Sequence, residues 1–80
     1  MKTPRDLGGK ELAKALSTLG YRVTRTMGSH MRLTTDQGGV HHVTVPNHSP
    51  LRVGTLAAIL DEVGRHAGLS REDLLSRLAG

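Results

Sequence analysis

The spacing of apolar residues changes period at Gly20 and changes back beyond Pro50, and these two switches constrain the fold more than any other feature of the chain. Before Gly20, Leu12, Leu16 and Leu19 fall at i, i+4 and i+7, one apolar stripe of a helix over Lys10 to Leu19 with Gly20 as its C-terminal glycine. From Tyr21 the period is two, the spacing of strands whose successive side chains point to opposite faces. The first strand sets Tyr21, Val23, Arg25 and Met27 on one face and Arg22, Thr24 and Thr26 on the other. The second alternates Met31 and Leu33 with His30, Arg32 and Thr34, and the third, Val40 to Val45, sets His41, Val43 and Val45 against Val40, His42 and Thr44. Thr35-Asp36-Gln37-Gly38-Gly39 supplies turn chemistry between the last two strands, and Pro46-Asn47-His48-Ser49-Pro50 cannot continue a central strand. From about Thr55 the helical stripe returns with Leu56, Ile59, Leu60 and Val63, bounded by Gly64 and Gly68. Ser70 followed by Asp73 then opens a short last helix carrying Leu74, Leu75 and Leu78.

Three consecutive strands joined by short turns make an antiparallel meander, and the leucine stripes are buried only if the helices lie on one of its faces. The expected fold is therefore α+β, a three-stranded antiparallel sheet in the order α-β-β-β-α with a short C-terminal helix, and a core containing Leu12, Leu16, Ile59 and Leu60. Eighty residues read as one domain, 1–80, with too little chain for a second core. The absence of Cys excludes disulfides, thiolate zinc sites and a thiol nucleophile. Met1–Asp6 has no apolar stretch of the kind found in a signal peptide, and no apolar run approaches a membrane span. A cytoplasmic protein without membrane contact is expected.

Helices on one face leave the other open to water. Strand parity gives that open face Arg22, Thr24, His30, Arg32, His42 and Thr44. Eleven Lys and Arg against seven Asp and Glu give a net charge of +4, which favours an anionic partner, either a nucleic acid or an acidic protein. Tyr21 is the single aromatic residue, so a nucleic acid would be held through backbone charge and shape and not by stacking of its bases.

Gly28-Ser29-His30, at the turn between the first two strands, is the candidate site. Histidine exchanges protons near neutral pH, Gly28 permits a positive φ just ahead of it, and Ser29 can hydrogen-bond locally. Cleavage of RNA by its own 2′-hydroxyl needs a base for that hydroxyl, an acid for the 5′-oxygen and cations for the phosphorane charge. One imidazole beside guanidinium groups supplies most of this. The remaining histidines, His41, His42, His48 and His66, match no zinc spacing, and the neighbours His41 and His42 point to opposite faces, so no metal or other cofactor is expected. Neither Gly8-Gly9-Lys10 nor Gly38-Gly39 has phosphate-loop spacing, and no Ser lies in a nucleophile elbow.

An ordered set of short motifs runs along the chain. Gly9-Lys10-Glu11-Leu12 opens the first helix and Leu19-Gly20-Tyr21 closes it. Gly28-Ser29-His30 follows, then Val43-Thr44-Val45-Pro46 with His48, then Gly54-Thr55-Leu56 with Ile59-Leu60. Gly68-Leu69 and Glu72-Asp73-Leu74-Leu75 complete the set. Over about residues 8 to 75 it resembles the HicA-type toxins of bacterial HicA–HicB toxin–antitoxin modules. The resemblance implies a fold like that of double-stranded-RNA-binding domains, an activity that cleaves mRNA, and neutralisation by a HicB-type antitoxin. It also implies that His30, as the His of the Gly-Ser-His motif, is the catalytic residue. The expectation is a metal-independent endoribonuclease in which His30 is the general acid/base, Arg22, Arg32 and His42 contact RNA, and Gly28 and Ser29 shape the turn. Two rival readings share the surface: a non-catalytic RNA-binding module of the same fold, and a small protein whose basic face docks an acidic partner.

Overall fold

In the computed structural model, which describes residues 7–79, the element order is that expected from the two changes of period. Helix α1 (Gly9–Leu16) opens with the Gly8 amide donating to the Glu11 carboxylate at 3.0 Å, and its last turn tightens into a 3-10 turn over Ser17–Leu19. Gly20 ends it with a left-handed φ of 84°, and a Cβ there would also lie 2.7 Å from atoms of Thr35 and Gln37. Strands β1 (Arg22–Met27), β2 (His30–Thr35) and β3 (His41–Pro46) form one antiparallel sheet in the order β1-β2-β3. Helix α2 (Val53–Ala67) begins two residues ahead of the expected Thr55, and α3 (Arg71–Ala79) is capped by Ser70, whose Oγ accepts from the Asp73 amide at 3.1 Å.

Gly64, expected at the end of α2, lies inside the helix and is buried there. A Cβ on it would fall 2.9 Å from the Leu69 carbonyl, so its role is close packing and not termination. The left-handed Gly68 ends the helix alone, and the Leu69 amide returns to the Gly64 carbonyl at 2.9 Å in the six-to-one closure of a Schellman motif.

One face of the sheet is covered. Leu12 and Leu16 of α1, Leu56, Ile59, Leu60 and Val63 of α2, and Leu74 and Leu75 of α3 are buried together with Met31, Leu33, Val43 and Val45 of the sheet. Tyr21 is the core's one aromatic residue, which leaves branched aliphatic side chains to fill the space between helices and strands. The result is the α+β, double-stranded-RNA-binding-domain-like architecture expected from the sequence, with α3 packed against α1 and α2.

β1 departs from simple alternation. Arg22 lies opposite Thr34 and Val23 opposite Leu33, but Arg25 lies opposite Arg32, so that Thr24 is one extra residue in a β-bulge. Beyond the bulge the parity reverses. Arg25 and Met27, expected on the core face with Tyr21, join Arg32 and His30 on the open face, and Thr26 crosses to the side of its partner Met31. Unbroken alternation would turn Arg25 toward the helix-bearing side, and the bulge sets it on the open face instead. Val23 stays on the core side at the sheet's edge, 48% exposed.

The end of β3 is stapled to the start of α1. The Gly9 amide donates to the His48 carbonyl at 2.8 Å, and a Cβ at Gly9 would sit 2.0 Å from the Pro46 oxygen, so only glycine permits this approach. The Asn47 amide donates to the Ser29 carbonyl at 2.6 Å, which extends the β2–β3 ladder to the Gly-Ser-His turn. Because Leu16 is fully buried between α1 and the sheet, Leu16→Ala should cost about 2–5 kcal/mol in urea unfolding, a large part of the stability of so small a protein. A loss near zero would contradict this packing of α1.

Candidate active site

The open face of the sheet is a grid of three rows. Met27, His30 and Pro46 form the first, Arg25, Arg32 and Thr44 the second, and Arg22, Thr34 and His42 the third. Successive rows on one face of a sheet are about 7 Å apart. Arg25, Met27, His30, Arg32, His42 and Thr44 line a shallow depression of about 340 Å³. The side chains expected on this face from parity are therefore there, but Arg22 lies two rows from His30 and outside the depression, and Arg25 takes the nearer place.

Local structure fixes where His30 stands. β1 and β2 are joined by the two-residue turn Gly28-Ser29, with Gly28 at φ 58° and Ser29 at negative φ, the pattern of a type II′ hairpin. The turn sets His30 opposite Met27 at the very start of β2, and the Asn47–Ser29 bond ties it from the other side. His30 is solvent-exposed.

His42 is held by a chain of hydroxyls. Thr24 Oγ1 donates to the Arg32 carbonyl at 3.3 Å, Thr24 Oγ1 and Thr34 Oγ1 are 2.8 Å apart, and Thr34 Oγ1 is 2.8 Å from His42 Nδ1. Each hydroxyl has one proton to give. With the Thr24 proton on the Arg32 carbonyl, the Thr34 proton must go to Thr24, so His42 Nδ1 is the donor to Thr34. The neutral ring then presents Nε2 as an acceptor.

The other histidines lie apart from this face. His41, beside the core residues Val43 and Val45 in parity, is hydrogen-bonded through Nδ1 to the Tyr21 hydroxyl at 2.7 Å and stacks on His66 with ring centroids 4.5 Å apart. Burial, followed by the neighbouring His66, holds the His41 imidazole below its ordinary pKa, and burial raises that of the Tyr21 hydroxyl. His66 Nε2 meets the Gln37 carbonyl at 2.9 Å, which makes that nitrogen the donor. His48 braces its loop through its backbone carbonyl, which accepts from the Gly9 amide. Among the described residues, no three His, Asp or Glu side chains converge as a metal-binding group.

Charge on the open face has one sign. Arg22, Arg25 and Arg32 are all exposed, and none of the strand residues is Asp or Glu. The ion pair among the described residues, Arg71 with Asp61, lies on the helical side. Among the described residues, the strands thus present a basic surface without carboxylates, with an exposed imidazole beside two guanidinium groups.

Residues 9–69, from the first turn of α1 through all three strands to the end of α2, match the family described as HicA toxin of bacterial toxin–antitoxin. The chain belongs to the HicA toxin family. It is a toxin of a toxin–antitoxin system, in a family of mRNA interferases. Among curated proteins and solved structures, no significant match is found. Of the described helices of this HicA protein, none is long and apolar enough to cross a membrane.

Sequence reasoning missed Arg25 and Met27 at the site. The one signal was a guanidinium that strict alternation assigned to the core side, where the bulge at Thr24 turns it to the open face. The hydroxyl chain carries its own test. Nitrogen NMR of the neutral protein should show His42 protonated at Nδ1, and Thr34→Val should remove that fixed preference without unfolding the sheet. A neutral His42 protonated at Nε2 in the wild type would contradict the assigned direction of the chain.

Proposed function

We propose that this HicA protein cleaves single-stranded stretches of mRNA through attack by the substrate's own 2′-hydroxyl, with His30 moving the proton. The observation that carries the reading is the position of an exposed imidazole one row from Arg25 and Arg32 on strands that contain no carboxylate. Neutral His30 takes the proton from the 2′-hydroxyl, whose oxygen attacks phosphorus. The P–O5′ bond breaks, and the imidazolium returns the proton to the leaving 5′-oxygen. The products are a 2′,3′-cyclic phosphate and a 5′-hydroxyl, and the reaction consumes no co-reactant. Arg32, with Arg22 on β1 two rows from His30, holds phosphates, and guanidinium groups offset the charge that builds on the phosphorane. His42 faces the same depression with Nε2 as an acceptor, suited to a ribose hydroxyl, the group that separates RNA from DNA. Gly28 and Ser29 act through the turn that sets His30 in place.

Metal independence follows from the donor set in this reading. Divalent cations at phosphoryl-transfer sites are held by carboxylates, and the strands contain none. A HicB-type antitoxin would neutralise the protein by covering the basic face, where an acidic surface finds Arg22, Arg25 and Arg32 together.

His30→Ala should lower RNA cleavage by ~10²–10⁴-fold, the usual range for a proton-transfer residue, and abolish growth inhibition, while the unfolding midpoint and RNA affinity stay near those of the wild type. Cleavage by the wild type should persist in EDTA. An active His30→Ala protein would overturn the mechanism, and binding without any cleavage by the wild type would favour the non-catalytic RNA-binding module. Chelator-sensitive cleavage lost in His42→Ala would point to a metal at His42 instead.

A further inference from the structure

Arg25 and Arg32 are direct cross-strand partners, two guanidinium groups opposite one another on adjacent strands, both exposed and neither in an ion pair among the described residues. Like charges in this position repel, and such a pairing weakens a sheet. Nothing in the fold needs it. Arg25 reaches its place because of the bulge at Thr24, and the hydroxyl chain from Thr24 to Thr34 and His42 locks that bulge onto the open face. The repulsion is relieved when an anion lies between the two forks, each of which can donate two parallel hydrogen bonds to phosphate oxygens. The depression that both residues line is open to solvent, holds no carboxylate among its lining side chains, and has Thr44 completing the row beside Arg32.

We infer that Arg25 and Arg32 form a clamp for one backbone phosphodiester of the bound RNA, created by the β-bulge and placed one row from His30. This rests on the reading of the open face as the RNA-binding surface, and it adds to it a specific subsite. A phosphate gripped there lies against the imidazole, so the clamp both positions the reacting group and supplies positive charge as the phosphorane forms. Arg22, two rows from His30, holds a neighbouring phosphate of the strand and not the clamped one. An acidic protein side chain could also enter the clamp. The planar forks, the hydroxyl of Thr44 and the small open depression favour a phosphodiester, which offers oxygens to both guanidinium groups at once.

The test is a double-mutant cycle on binding of a 2′-O-methyl RNA oligonucleotide, which keeps every phosphate but has no free 2′-hydroxyl to attack. Arg25→Ala and Arg32→Ala should each weaken binding roughly tenfold, the scale of one charge-assisted contact, and each should lower the salt dependence of binding by about one phosphate. Because both groups grip one phosphate, the double variant should bind more tightly than the product of the two losses predicts. Arg77→Ala, on α3, serves as the charge control and should bind as the wild type does. A single-stranded DNA of the same sequence should show the same coupling, since the clamp reads phosphate and not sugar. Additive losses, or no loss in Arg25→Ala, would overturn the clamp, as would an Arg25→Ala protein with unchanged oligonucleotide binding but weakened capture of its antitoxin. The probe cannot be cut by its own hydroxyl, so the result is independent of the role of His30. An active His30→Ala protein with Arg25–Arg32 coupling intact would overturn the catalytic reading and leave the clamp standing.

Discussion

Burial of one sheet face beneath leucine-striped helices decides where every other side chain of this protein can stand. Leu12, Leu16, Leu56, Leu60 and Val63 are buried against Leu33, Val43 and Val45, and with a single aromatic residue the chain has little other apolar volume to spend. Every polar residue of the central strand β2 that alternates with Met31 and Leu33 is thereby turned to the other face. The site is the complement of the core. His30, Arg32 and Thr34 stand where they do because their neighbours are under the helices.

That logic explains why much of the molecule was legible in the sequence. The switch from a helical stripe to alternation and back fixes the element order, and in β2 and β3 alternation alone places His30, Arg32, His42 and Thr44 on the open face. It fails in β1. A bulge adds one residue without changing composition, so parity counted from Tyr21 is right for Arg22 and wrong for Arg25, Thr26 and Met27. Gly64 misled for a related reason, because a glycine required by the approach of the Leu69 carbonyl is indistinguishable in sequence from one that ends a helix. The stack of His41 on His66 joins residues far apart in the chain, and no local spacing announces it.

The open face is suited to a polymer recognised by its backbone. It is nearly flat, carries three guanidinium groups and two imidazoles, and offers no aromatic ring on which a base could stack. Both ends of β2 are tied to neighbouring segments. At one end the Gly28-Ser29 turn is tied to Asn47, and at the other Thr35 Oγ1 donates to the Leu19 carbonyl at 3.0 Å, joining the sheet to the close of the first helix. A proton-transfer residue gains from such fixed placement, since misplacement of a reacting group by even about 1 Å costs heavily in rate. In the proposed reading the same arrangement would let one acidic antitoxin surface, laid across three rows, meet the imidazole and its cationic neighbours together.

RNA cut by its own 2′-hydroxyl, as proposed for this face, is left with ends unlike those that water leaves. Mass spectrometry of the ends formed from a defined RNA tests the proposal most directly. A 2′,3′-cyclic phosphate on the upstream fragment and a 5′-hydroxyl on the downstream one are expected, in the presence of EDTA as in its absence. A 3′-hydroxyl paired with a 5′-phosphate would show that water, and not the ribose, is the nucleophile, and would contradict it.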